Sequence, residues 1–66
     1  MKVLESPEMR GNWEREVRMA DLYARLAGVA RSPATKKQLE QLAADERRHA
    51  KAWASYLADR GVAVPR

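Results

Sequence analysis

Sixty-six residues make at most one small domain, and a chain this short needs a disulfide, a metal or a partner chain to supplement its core. It contains no Cys, which excludes disulfides, thiolate zinc sites and cysteine nucleophiles and leaves metal, oligomerisation or both. Lys plus Arg outnumber Asp plus Glu by 13 to 9, yet no basic block exceeds two residues and no aromatics interleave a basic stripe, so nucleic acid is not an expected partner. The charges read as solvated helix faces with intrahelical pairs such as Glu14–Arg18 and Asp21–Arg25. No apolar run approaches the roughly 18 residues of a membrane helix. The sequence is therefore read as soluble and cytoplasmic, with no direct membrane insertion. Twelve Ala and no Phe favour helices over sheet.

In chain order, Met1 to Glu5 is a lead-in with Val3 and Leu4 as docking residues. Ser6-Pro7-Glu8 is a helix-start signature: a hydroxyl cap, Pro at the first helical position, then an acid at the positive dipole end. Gly11-Asn12 interrupts, and Asn12 offers a later cap, but the apolar stripe Met9, Trp13, Met19/Ala20, Tyr23, Leu26/Ala27, Ala30 runs through it. The expected first helix spans about 8–29, with a kink at Gly11. A turn at 30–32 follows. Ser32 and Pro33 repeat the start signature and open a second helix of about 33–60, ended by Gly61. Its stripe is Leu39, Leu42/Ala43, Glu46, His49/Ala50, Trp53, Tyr56/Leu57. Residues 61–66 read as a short extended tail. Two helices joined by so short a connection fold back as an antiparallel hairpin, so the fold class is all-α.

Three polar residues stand on these apolar stripes. Glu46 and His49 form Glu-x-x-His between Leu42 and Trp53, and Glu16 falls between Trp13 and Met19. Burying a carboxylate without a partner costs several kcal/mol, so such groups are paired, protonated or bound to metal. With the turn centred near Arg31, Glu16 and Glu46 each lie fifteen residues from it, which puts both carboxylates roughly 22 Å from the turn. His49 is one turn further along, level with Trp13. One chain thus presents half of a site. Two hairpins paired about a two-fold axis form a four-helix bundle and bring together two Glu and two Glu-x-x-His pairs, the ligand set of di-iron and di-manganese carboxylate bundles. Iron or manganese suits these ligands, with zinc as a competitor.

The runs Asn12-Trp13-Glu14-Arg15-Glu16, Tyr23-Ala24-Arg25-Leu26-Ala27 and Leu42-Ala43-Ala44-Asp45-Glu46-Arg47-Arg48-His49-Ala50 together resemble rubrerythrin-type ferritin-like proteins. The likeness covers about residues 12–61 and is closest to single-hairpin forms. These are the encapsulated ferritins and the cytosolic ferritin-like domain of vacuolar-iron-transporter-type proteins. It implies that Glu16, Glu46 and His49 ligate iron, one ion per chain and two per dimer, with Glu46 bridging. It implies Tyr23 as a hydrogen-bonding or redox-active neighbour. The implied activity is binding two Fe(II) and oxidising them, with oxygen or peroxide, to an oxo-bridged ferric pair. On this reading the catalytic set is Glu16, Glu46, His49 and Tyr23. The implied partners are a second copy or a higher homo-oligomer, an encapsulin shell or a membrane transporter domain. The rubredoxin-type domain of rubrerythrins needs Cys, which this sequence lacks.

Two other function classes stand beside the ferroxidase. One is a non-catalytic iron- or manganese-sensing or metal-delivery domain. The other is a plain helical dimerisation module, or a nucleic-acid-binding hairpin, without metal.

Overall fold

The computed structural model describes residues 6–64, apart from the side chain of Ser6. Two helices, α1 (Ser6–Val29) and α2 (Pro33–Asp59), pack against each other as a hairpin. The expected docking residues Val3 and Leu4 lie outside the described residues, as do Pro65 and Arg66. Helix α1 is continuous through Gly11 and Asn12, so the expected interruption does not end it or restart it. The apolar stripe on both sides of Gly11 holds the turn together, and tertiary packing outweighs the propensity cost of one glycine.

The N-terminus of α2 forms as its sequence signature predicts. Ser32 is the N-cap in an extended conformation, its side chain accepts from the Thr35 amide at 3.4 Å, and Pro33 fills the first turn. The Ser32 carbonyl already accepts from the Lys36 amide at 2.9 Å. At the other end the Gly61 amide donates to Ala58 O at 3.0 Å and the Val62 amide to Leu57 O at 2.9 Å. That paired pattern is the Schellman stop. It requires a left-handed residue at Gly61, whose φ is 75°.

The contact between the helices is mostly alanine, with Met9 and Leu57 as its two large side chains. Among the described residues the buried apolar side chains are Met9, Ala20 and Ala27 on α1 and Ala43, Ala50 and Leu57 on α2. Apart from Met9, they recur at intervals of seven, which keeps one narrow seam in register along the two helices. Alanine at the contact brings helix axes to the close end of the usual range of about 8–10 Å. The molecule measures 42 × 27 × 14 Å, so its thin dimension is one helix layer. Both flanks of the seam are therefore open.

That single layer corrects the expected core. In each stripe doublet the second residue turns into the seam and the first turns towards a flank. Leu26, Leu42 and Tyr56 are exposed while Ala27, Ala43 and Leu57 are buried. Trp13, Met19, Tyr23, Leu39 and Trp53 are half-buried. The apolar stripe is wider than one helix contact covers. Its uncovered edge forms a second apolar face on the flank that carries Glu16, Glu46 and His49.

Candidate metal centre

Glu16 reaches the site from the middle of α1, and Glu46 and His49 from the middle of α2. The structure brings one ligand atom from each within 4.8 Å of the others. His49 Nδ1 lies 3.5 Å from Glu16 Oε2 and 3.8 Å from Glu46 Oε1. The expected level of His49, opposite Trp13, is corrected by side-chain direction. Side chains lean towards the N-terminus of their own helix. In an antiparallel hairpin Glu16 therefore leans away from the turn and His49 leans towards it, and the two converge.

Burial is also less than the stripe suggested. None of the three is fully buried: the Glu16 and Glu46 side chains are 22% and 21% exposed, and that of His49 is 59% exposed. The cause is the open flank, since no third element covers the imidazole. One atom within this group is nevertheless enclosed. Glu16 Oε2 is buried without a hydrogen-bond donor. A carboxylate oxygen in that state has given up water without gaining a hydrogen bond, and the His49 imidazole stands 3.5 Å from it.

Two carboxylates no more than 4.8 Å apart repel each other by about 1 to 3.5 kcal/mol, from bulk water to a protein surface. A divalent cation between them reverses the sign. Metal bonds of about 2.1 Å place ligand atoms about 3.0 Å apart at right angles and about 3.4 Å apart in a tetrahedron. The observed 3.5 and 3.8 Å lie within a side-chain adjustment of that geometry. Two carboxylates and one imidazole are hard and intermediate donors that suit iron, manganese or zinc, and they leave coordination positions open. The donor set, the spacing and the orphaned oxygen all fit a metal ion.

The surrounding residues divide between packing and the charged surface. Tyr23, two turns along α1 from Glu16, is half-buried. Asp45, next to Glu46, pairs instead with Arg48, and Glu14 is exposed. The expected Glu14–Arg18 and Asp21–Arg25 pairs are not formed among the described residues, as befits solvated side chains whose pairing is worth little. Beyond His49, Trp53 and Tyr56 meet edge to face at 6.1 Å. The Arg60 guanidinium stacks 3.5 Å from the Tyr56 ring centroid and donates to its hydroxyl at 2.6 Å. The apolar stripe alone places Trp53 and Tyr56 as packing residues. The Tyr–Arg spacing of four was the available signal for the clamp.

No family model, no curated protein and no solved structure matches the chain. The resemblance to rubrerythrin-type proteins therefore rests on the sequence motifs alone.

Proposed function

We propose that this protein is a metal-binding half-bundle of the ferritin-like type, and that two copies close over the open apolar face to build a two-metal carboxylate site that oxidises Fe(II). The observation that carries the reading is the convergence of Glu16, Glu46 and His49 from two helices, with Glu16 Oε2 enclosed and unsatisfied. The chemistry of the flank supports it. Leu42 and Tyr56 are exposed on the flank that carries the cluster, and burying that surface against a copy would supply stability that a largely alanine seam lacks. Each chain then contributes two carboxylates and one imidazole, so four carboxylates balance two divalent ions in charge.

Fe(II) is the substrate in this reading, with manganese or zinc as competitors for the same ligands. Two Fe(II) give up one electron each, and dioxygen accepts both and leaves with two protons as hydrogen peroxide. The carboxylates favour the ferric product because they place negative charge where positive charge increases. Glu46 would be the carboxylate shared between the two ions, and Tyr23 would donate a hydrogen bond to a ligand. The reducing cytoplasm, where Fe(II) persists, suits the substrate.

The exposed His49 favours one alternative. An imidazole 59% open to solvent lets metal exchange quickly, as a sensing or delivery domain requires. Anaerobic Fe(II) titration, followed by admission of oxygen with ferric absorbance and molar mass recorded together, separates the readings. The oxidase predicts one iron per chain, metal-linked pairing and fast oxidation, all lost in Glu46→Ala. Stoichiometric binding with oxidation no faster than free Fe(II) identifies the sensing or delivery domain. No binding, with mass unchanged by Glu46→Ala, leaves a plain dimerisation module and overturns the metal reading.

A further inference from the structure

A different surface carries a second inference, independent of the metal reading. Arg15, Arg18, Leu22, Arg25, Leu26 and Val29 follow one another along α1 at mostly helical spacing, on the side away from the buried Ala20 and Ala27. All six are exposed, Val29 at 76%. None is acidic. The charge asymmetry continues around the turn, for between Asp21 and Glu40 the sequence holds Arg25, Arg31, Lys36 and Lys37 and no acid. This stretch alone accounts for the net charge of +4, and the rest of the chain is balanced.

We propose that the outer face of α1, with the turn, docks on an anionic lipid bilayer surface. Leu22, Leu26 and Val29 would sit at the boundary between headgroups and acyl chains, while the arginine stems lie along it and their guanidinium groups reach lipid phosphates. Charge complementarity selects this occupant. A second copy would bring two sets of Arg15, Arg18 and Arg25 onto one seam, where the exposed Glu14 and Asp21 beside them leave cations in excess. Nucleic acid would meet three aliphatic side chains amid the cations and no aromatic ring to stack a base. A protein partner reading a helix or peptide needs a groove. This convex face has only a shallow recess of about 210 Å³ among Arg18, Asp21, Leu22 and Arg25. No helix among the described residues is long and apolar enough to cross a membrane, so the binding is peripheral.

The test is co-flotation of the full chain with phosphatidylcholine vesicles, with and without phosphatidylglycerol, at low and high salt. Binding is expected only with phosphatidylglycerol and is lost at high salt as the Debye length shrinks. Arg18→Gln/Arg25→Gln should partition roughly thirtyfold more weakly, the contribution of two surface cations. Both side chains are exposed, so helicity by circular dichroism should not change, and Val29→Asn provides a second variant that weakens binding without altering charge. Glu46→Gln, which breaks the metal cluster, should float like the parent chain, so failure of the metal reading would leave this one standing. Equal recovery with neutral vesicles, unchanged partition of the double variant, or tighter binding to polyglutamate than to the anionic vesicles would each overturn it.

Discussion

Replacing Glu16 by Met should make the metal-free protein more stable and the metal-treated protein less stable than the parent. Glu16 Oε2 is buried without a donor, a state that costs about 1–3 kcal/mol for a fully enclosed group. The side chain as a whole is 22% exposed, so the lower end, about 1 kcal/mol, is the appropriate figure. Met has similar length and helix propensity, fills the same space and needs no donor. Its removal of the 3.5 Å approach to His49 forfeits little, because that imidazole is 59% exposed and screened. In a domain of this size a gain of about 1 kcal/mol raises Tm by roughly 4–8 °C. The parent has a compensating route that the variant lacks: at metal a hundredfold above Kd, binding contributes about 2.7 kcal/mol. Thermal melts followed at the helical dichroism band, at one fixed protein concentration, with chelator and then with Fe(II) under argon or Mn(II) in air, would show the two curves change order. A variant less stable than the parent in chelator would mean that the Glu16 carboxylate has a satisfied role of its own. A variant that keeps the full metal shift would remove Glu16 from the ligand set.

The fold itself gives three further tests. Leu57 is completely buried and its carbonyl accepts from the Arg60 and Val62 amides, so Leu57→Ala should cost about 2–5 kcal/mol and leave urea unfolding with little or no folded baseline. Gly61→Ala forces a φ of 75° on an L-residue and should cost about 1–2 kcal/mol. Gly11→Ala meets nothing within 4 Å in mid-helix and should instead stabilise by about 0.5–1 kcal/mol, so paired urea midpoints should move in opposite directions. Ser32→Ala removes the Thr35 amide's acceptor and should lower stability by about 1 kcal/mol, while Ser32→Asp should restore it.

Local chemistry was the legible part of the sequence. Ser32-Pro33 and Gly61 mark the ends of α2 because caps and stops depend on a few neighbouring residues. The convergence of Glu16 with Glu46 followed from counting residues back from the turn, since helix rise is nearly constant. What the residues did not disclose was which edge of each stripe faces inward. Met19/Ala20, Leu26/Ala27 and Tyr56/Leu57 are equally compatible with either member in the seam if only the helical period is used. The choice falls to shape. Alanine on both sides lets the helices approach, and bulkier Met, Leu and Tyr side chains at the same positions would hold them apart.

That choice of seam also explains why the site is open. With alanine inward, the larger apolar residues and the three candidate ligands rotate together to one flank, and a layer 14 Å thick has nothing with which to cover them. A hairpin evolved to stand alone would place its Leu and aromatic side chains in the seam, where each buries the most area. This one has alanine at Ala20, Ala27, Ala43 and Ala50, keeps Met9 and Leu57 as its large seam residues, and leaves Leu42 and Tyr56 outside. A second surface meeting that flank would bury these side chains, and any such surface would also enclose Glu16, Glu46 and His49. Carboxylates closed into an apolar interface without a counter-charge would oppose assembly by several kcal/mol. Metal and pairing should therefore be linked, each strengthening the other by the same factor. In sedimentation, the dissociation constant of the pair should fall when metal is added and respond to neither metal nor chelator in Glu46→Ala. Pairing that is equally tight with and without metal would separate the apolar face from the ligands it surrounds.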